Sequence, residues 1–408
     1  MLIPRDYQKQ GIDFLKKKHR AMLLDAPGLG KTLQAAEAAI TPVLIACPTY
    51  LVDQWEAFLN EQYPTAKIIS AQGPRVQREA ILELAADWYI VNIEMLRDYS
   101  FPKVNTVIID ESHHLRGRSS QQSLGALSVC KQAKRVYLLT ATPIKREPDD
   151  LFMQLRLLYP NIFSSYTSFI NNYCKVEQTP FGPKVKGDKN PAVTRRLLRE
   201  FAIGRSYKEA GLSLPELVEK VVSVKMSATL AKRYKEVKEN YTFKDIPLEA
   251  MVQVVNILRQ LTFCKEKIET LLELLDDNDI TSGVIFCWFR NSAEQLAKLL
   301  RCECITGDMN ANERVTIAKA SKGLITATIA SLSEGVDLSH VRNVIFFECD
   351  YTYGSMYQAL SRVRRYSENN EPVKVHYINM RYTVDETVYY SQKRRGATVK
   401  EILREALK

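Results

Sequence analysis

Short apolar runs, each closed by a polar or charged residue and followed by a helix-forming stretch, recur along this chain and restrict its fold more than any other feature. In the first half they are residues 21–24, "VLIAC" ending at Cys47, "TVIID" ending at Asp110 and "VYLLT" ending at Thr140. In the second half they are "VIFC" ending at Cys287, "GLITA" ending at Ala327 and "VIFFE" ending at Glu348. Uninterrupted runs this short suit strands buried on both faces, as in a parallel sheet. Their alternation with stretches such as "TLQAAEAAI" after Lys31 predicts an α/β protein with two doubly wound parallel sheets. Between them, from about residue 151 to 275, leucine-spaced stretches such as "ATLAKRYKEVKENY" and "MVQVVNILRQLTF" predict helical insertions, and "QTPFGPKVKGDKNP" from Gln178 reads as an exposed loop. With a junction near "GLSLPE", the expected domains are 1–212, with a helical insertion at about 151–205, and 213–408, with one at about 226–275.

The 408 residues leave ample chain for two or three cores, and no apolar run is long enough to cross a bilayer, so no membrane partner is expected. The start "MLIPRDYQKQ" lacks a signal peptide's basic-then-apolar pattern, which points to an intracellular, cytoplasmic protein. Eight scattered cysteines fit a reducing compartment. Cys302 and Cys304 form a lone C-x-C, which reads as two buried strand positions in preference to a zinc site. A formal charge of +10 and a pI near 9.0 favour a polyanionic partner such as nucleic acid. The clusters "LKKKHR", "RRLLRE" and "QKRRG" serve equally well as solvated helix faces.

In open α/β sheets ligands sit beyond the carboxyl ends of strands, so the polar residues closing each run are the site candidates. "LLDAPGLGKTLQ" runs strand, glycine turn, helix: its backbone N–H groups form a phosphate nest, Lys31 reaches the outer phosphates, and the Thr32 hydroxyl binds magnesium. The ligand expected is a nucleoside triphosphate. The usual pattern begins with glycine, where this chain has Asp25. "VIIDESHHL" delivers Asp110 to hold magnesium and Glu111 to polarise an attacking water. His113 is read as a polar relay, and Thr140 and Thr142 of "LLTATP" supply hydroxyls beside the acids. "QALSRVRRY" spaces Gln358, Arg362 and Arg365 to share one helical face, where arginines could neutralise charge on a transferred phosphoryl group or simply coat a surface helix.

With these motifs in order, nearly the whole chain resembles a superfamily 2 helicase of the Swi/Snf translocase type. "DAPGLGKTLQA" is similar to that family's D-E-M-G-L-G-K-T-L-Q-A, which accounts for Asp25. "IPRDYQKQGIDFL" resembles its adenine-reading motif, with Arg5 and Gln8; the nucleotide turn adds Pro27, Gly28, Leu29 and Gly30. "VLIACPTYLVDQW", "YIVNIEML", "VIFCWFR", "ITGDMNANER", "EGVDLSHVRNVIFFE" and "YQALSRVRR" resemble the remaining motifs, and the D-E-S-H stretch points to the HARP-like, fork-remodelling annealing helicases. "RVRRYSE" replaces the usual R-x-H-R-I-G-Q, and Tyr351 and Tyr353 replace a tryptophan and a proline.

The resemblance implies two tandem RecA-like domains using ATP and Mg2+ to move on duplex, forked or branched DNA as a monomer, with "TVKEILREALK" as a C-terminal brace helix. It implies coupling roles for His113, Thr140, Thr142, Gly335 and Gln358, catalytic roles for Lys31, Asp110, Glu111, Arg362 and Arg365, and DNA-backbone contacts at Thr49, Asn92, Arg290 and Thr306. A strand-separating DNA or RNA helicase and a nucleotide-gated binding scaffold are the alternative functions. The compactness suggests a bacterial or phage setting.

Overall fold

The computed structural model describes residues 2–180, 182–240, 242–243, 246–247, 251–332, 336–365 and 371–406. The chain divides into two compact units, Met1–Leu212 with Ala397–Lys408, and Ser213–Gly396.

The first unit opens with α1 (Asp6–Lys18), β1 (Arg20–Leu23), α2 (Lys31–Ala38), β2 (Val43–Cys47), α3 (Val52–Gln62), β3 (Ile68–Ser70), α4 (Arg75–Leu82) and β4 (Trp88–Asn92). It continues with β5 (Thr106–Asp110), α5 (Gln121–Gln132), β6 (Arg135–Leu139), α6 (Asp150–Leu158) and α7 (Tyr166–Tyr173). Then come β7 (Cys174–Thr179), β8 (Gly182–Asp188), α8 (Pro191–Phe201) and β9 (Ala202–Ile203). Among the described residues the main sheet runs β3-β4-β2-β5-β6-β1-β9 with every pairing parallel. Alternate residues of each central strand, Ile45, Ile108 and Tyr137 among them, enter one core beneath α1 to α3.

The second unit holds β10 (Leu217–Val224), α9 (Ala228–Asn240), β11 (Thr242–Phe243), β12 (Ile246–Pro247), α10 (Met251–Leu261), α11 (Lys265–Asp277), β13 (Gly283–Cys287) and α12 (Arg290–Leu300). After these follow β14 (Glu303–Ile305), α13 (Ala311–Ala320), β15 (Leu324–Thr328), α14 (Ile329–Leu332), β16 (Asn343–Phe346), α15 (Tyr353–Val363), β17 (Val373–Met380) and α16 (Val384–Ala406), whose residues from Ala397 onward belong to the first unit. Its sheet, again parallel throughout, runs β10-β17-β16-β13-β15-β14. Val284, Phe286 and Phe346 point into one core and Ile285, Cys287 and Phe347 into another, as a doubly covered sheet requires.

Two expectations are corrected here. The stretch from Gln178 is not a loop: it closes an antiparallel hairpin, β7 with β8, so the 151–205 region mixes helices with strands. Pro180, Gly182, Pro183 and Gly187 gave the stretch the composition of a loop. Cys302 and Cys304 are half-buried: Cys302 precedes β14, and Cys304 lies in that strand at the edge of its sheet. Among the described residues no helix is long and apolar enough to cross a membrane.

Candidate active site

Three strands of the first unit, β1, β5 and β6, lie side by side and end in the glycine turn, the acidic pair and the "TATP" stretch. Gly28 (φ 77°) and Gly30 (φ 74°) take left-handed conformations that turn the chain into α2. Gly30 has a second reason to lack a side chain, since a Cβ there would lie 2.3 Å from Gln8 Nε2. The Lys31 ammonium folds back to Asp25 O at 2.8 Å and Ala26 O at 3.4 Å, and its charge is felt at both Asp110 and Glu111. Thr32, at the second position of α2, is half-buried beside it.

Asp25 is fully buried and holds the turn to the rest of the unit. Arg205, just beyond β9, grips its carboxylate with Nε to Oδ1 and Nη2 to Oδ2, each 2.8 Å, and adds its backbone N–H at 2.9 Å. Gln34 Nε2 donates to the same carboxylate at 2.8 Å and its Oε1 accepts from Arg205 Nη2. Tyr207 Oη donates to Pro27 O at 2.7 Å, and Arg205 Nη1 donates to Tyr7 O. Where a glycine would leave the turn free, this chain has an aspartate that anchors it.

Asp110 Oδ2 accepts the Trp55 indole N–H at 2.9 Å and Oδ1 accepts the Glu111 N–H at 2.9 Å. Burial and the adjacent Glu111 carboxyl push the Asp110 pKa up. Burial also opposes ionisation of Glu111, but the hydrogen bond from His113 and the nearby Lys31 and Lys145 outweigh it and hold its pKa low. Glu111 has φ 48° and ψ 49°, a left-handed backbone that costs an ordinary residue about 1 kcal/mol or more. His113, 1% exposed, sits with Nδ1 2.9 Å from Thr140 Oγ1 and 3.2 Å from Glu111 Oε2. Burial lowers its pKa to about 4, so at neutral pH it offers an N–H dipole and no charge. Thr140 Oγ1 also accepts the Thr142 N–H at 3.0 Å.

A second bridge joins the acidic stretch to the threonine stretch through α6. Ser112 Oγ donates to Gln154 Oε1 at 3.0 Å, while Gln154 Nε2 donates to Pro143 O at 2.7 Å. Asp150 accepts the N–H groups of Lys145 and Arg146 at 2.9 and 2.8 Å, fixing the loop that carries the buried Lys145.

Other candidates are placed less simply. Gln8 is buried, with Oε1 accepting the Arg5 N–H at 2.8 Å and Nε2 donating to Leu29 O at 3.1 Å; the Arg5 side chain is exposed. Thr49 is exposed beyond β2, whereas Asn92, the last residue of β4, caps the next turn by accepting Met95 N–H at 3.0 Å. In the second unit Arg290 is held by Glu294 at 2.6 Å and by Asp308, and it lines a cavity of about 300 Å³ with the buried Thr306. The expectation that Gln358, Arg362 and Arg365 share a helical face is corrected. Helix α15 ends at Val363, so Arg365 lies beyond it and pairs with Asp337 at 2.9 Å, while Gln358 is buried and Arg362 half-buried. Gly335 lies outside the described residues.

Residues 7–274 match the SNF2-related domain. The chain belongs to the SNF2-related family. Residues 266–367 also match the helicase conserved C-terminal domain. Among curated proteins, this SNF2-related chain is 25% identical to the human DNA annealing helicase and endonuclease ZRANB3 over 96% of its own length and 40% of the relative's. The Bos taurus protein of the same name is 24% identical over the same shares. The SWI/SNF-related matrix-associated actin-dependent regulator of chromatin subfamily A-like protein 1 of Xenopus laevis is 27% identical over 94% of this chain and 42% of its own. This chain therefore spans about two-fifths of the length of these relatives. Among solved structures, the Sulfolobus solfataricus SWI2/SNF2 ATPase core in complex with dsDNA is 19% identical, covers 98% of this chain and 93% of its own, and has a TM-score of 0.48.

Sequence reasoning missed Arg205, Gln34, Trp55, Gln154 and Lys145. Arg205 reaches the site from 180 residues beyond Asp25 and Trp55 from 55 residues before Asp110, whereas Gln34 lies nine residues after Asp25, within the nucleotide motif itself. Only the unexpected Asp25 signalled that a buried cation had to exist.

Proposed function

We propose that this chain is a motor core that couples ATP hydrolysis to translocation on DNA and to remodelling of branched DNA. The observation that carries this reading is the strained Glu111 at the end of β5, kept ionised beside Lys31 and the glycine turn. Family membership supports the motor class, and the names of the relatives, DNA annealing helicases among them, support DNA as the track.

The donor set suits a magnesium nucleotide. Asp110 carries a pKa raised by burial and by Glu111, the signature of a carboxyl that a cation would relieve, and the glycine turn offers a nest for phosphate. Thr32 and Asp110 would hold the metal, whose chemistry when bound is to offset charge on the phosphates. Lys31 exchanges its backbone oxygens for phosphate, Glu111 accepts the proton of the attacking water, and His113 with Thr140 fixes the Glu111 carboxylate. Arg362 and Arg365 of the second unit would neutralise developing charge in a nucleotide-closed state, for which Arg365 must leave Asp337. Thr49, Asn92, Arg290 and Thr306 would meet the DNA backbone, so binding should weaken steeply with salt. The reading takes the chain as a monomer in an intracellular, bacterial or phage setting; its eight cysteines, all free, fit a reducing compartment.

ATPase and strand-displacement assays across single-stranded, duplex, forked and four-way DNA test it. Stimulation by plain duplex without strand release is the expected result. Robust unwinding of tailed duplexes would select a strand-separating helicase, and an ATPase rate indifferent to DNA would remove the motor reading.

A further inference from the structure

The β7–β8 hairpin is the element of the first unit that its core does not explain. Its strands are buried only at the root, at Cys174 and Asp188, and Val176 and Val185, paired across the ladder, are merely half-buried. A two-stranded hairpin that covers no apolar face is marginal in water, so its sequence has been set by something other than packing. With six residues in β7, the shaft reaches roughly 20 Å from its root.

Charge separates this region from the rest. Residues 174–201 hold seven basic and three acidic residues, a net of +4 within a chain of +10. Lys175, Lys184, Lys186 and Lys189 of the hairpin, with Arg196 and Arg199 of α8, are all exposed. Glu177 engages Lys186 at 2.9 Å, which leaves the surplus strongly positive. Helix α8 buries Thr194, Leu198 and Phe201 and turns Arg196 and Arg199 outward, with Arg195 half-buried between, so its anchoring and most of its charge lie on different faces.

The root is tied to loops that leave the carboxyl ends of the main strands. Tyr166, at the start of α7, donates to Asp149 at 2.8 Å and lies under the Arg118 guanidinium at 4.2 Å; Asp149 follows β6 and Arg118 follows β5. Phe169 packs on Phe152 of α6 with ring centroids 5.6 Å apart, and α6 is the helix whose Gln154 bridges Ser112 and Pro143. The Lys189 N–H closes the root on Tyr173 O at 2.9 Å. The hairpin's root is thus tied to the carboxyl-end loops of β5 and β6, through α7 packed on α6, the helix bonded to the acidic stretch.

We infer that the hairpin and α8 form a cationic finger that grips the phosphate backbone of nucleic acid. The inference rests on the nucleic-acid reading above and adds a surface to it. The grip is independent of base sequence and is made by lysines, each acting as a point charge on a phosphate.

The test is a salt titration of the full chain on fluorescently labelled plain and tailed duplexes, comparing wild type with K175Q/K184Q/K186Q and with K175R/K184R/K186R. Matching thermal midpoints establish that all three fold. Neutralising one phosphate-binding lysine should flatten the slope of log K against log salt by about 0.9, so the glutamine variant should show a slope roughly 2 to 3 units shallower and the arginine variant one close to wild type. An unchanged slope in the glutamine variant, while wild type binds DNA, overturns the finger. The same holds if the variant keeps its DNA slope but no longer binds poly-glutamate, which would make the partner an acidic protein. Wild type that binds no duplex at any salt removes the nucleic-acid reading itself, a distinguishable outcome.

Discussion

The strand ends of the first unit are fixed by a web of side chains drawn from across the sequence, in which Arg205, Gln34, Trp55, His113 and Gln154 each make bonds to the turn, the acidic pair or the threonine stretch. Those of the second unit are fixed chiefly by one buried carboxylate. Glu348, two residues beyond β16, accepts the Trp288 and Phe289 N–H groups at 2.8 and 2.9 Å and the Ser292 hydroxyl at 2.7 Å, which holds the turn from β13 into α12, the helix that begins at Arg290. Around it Lys267 pairs with Asp385, and Arg259 is boxed by Trp288 and Tyr351, each with its ring centroid 4.9 Å away. The first arrangement fixes the turn, the acidic pair and the threonine stretch together; the second fixes the single turn into α12. A chemical site needs several fixed atoms in register, whereas a gripping loop needs one firm root.

The largest effect should separate these roles. Glu111→Gln preserves shape and removes the base, so turnover should fall at least about a thousandfold while ATP binding persists, measured by single-turnover hydrolysis and nucleotide binding. Retained hydrolysis would move the chemistry away from β5. Next, Arg205→Ala leaves the Asp25 carboxylate buried without its cation, which should cost about 3–5 kcal/mol in denaturant melts and raise the KM for ATP. The matching change in the second unit, Glu348→Ala, should weaken DNA binding with the KM for ATP little changed. If both variants alter nucleotide affinity alike, the division between the units disappears.

The sign of a pH effect sharpens the picture further. His113 has its pKa lowered by burial, to about 4, so the folded state prefers it neutral and its stabilisation is complete above the ordinary value of about 6.5. That contribution is lost as pH falls from about 6.5 to about 4, and could approach 3 kcal/mol. Asp110, with its pKa raised, pulls the other way, since its contribution is present at low pH and lost as pH rises through the folded value. His113→Asn, which cannot titrate, should therefore show a flatter acid limb than wild type in thermal melts from pH 7 to 4. Parallel limbs would mean that His113 is solvated.

The architecture was legible in the sequence because both sheets are parallel and buried: β1, β2, β5, β6, β13, β15 and β16 each announce themselves as an apolar run. Strands β10 and β17 did not, since β10 is an exposed edge carrying Glu219 and Lys220, and β17 interleaves Lys374 and His376 among apolar positions. β9 is two residues long, too short for any periodicity. The turn, the acids and the threonines were legible because local spacing encodes them. Arg205 was not, because nothing local distinguishes it from a surface arginine until β9 lies against β1. Arg365 misled for the opposite reason: its spacing continues the helical face, but the helix stops two residues short of it.

The smallest effect expected concerns two glycines inside helices, Gly11 of α1 and Gly396 of α16. In an open helix Gly→Ala would stabilise by about 1 kcal/mol. At Gly11 a Cβ would lie 1.9 Å from Gln34 Oε1 and 2.7 Å from Arg205 Nη2, so α1 rests directly on the web that holds Asp25. Those atoms are the ends of side chains, but their hydrogen bonds keep them from swinging away, and displacing both sacrifices bonds worth about 1 kcal/mol each. At Gly396 the obstacle is the Tyr353 ring, with Cδ2 2.4 Å and Cε2 2.6 Å away, which makes none of the bonds that hold the nucleotide turn. Gly11→Ala should therefore lower the melting temperature by a few degrees and raise the KM for ATP, while Gly396→Ala lowers the melt and leaves that KM unchanged. An unaltered KM in Gly11→Ala would mean that the bonds of Gln34 and Arg205 do not set the shape of the nucleotide turn, and the contrast between the two sets of strand ends would then rest on Glu111 alone.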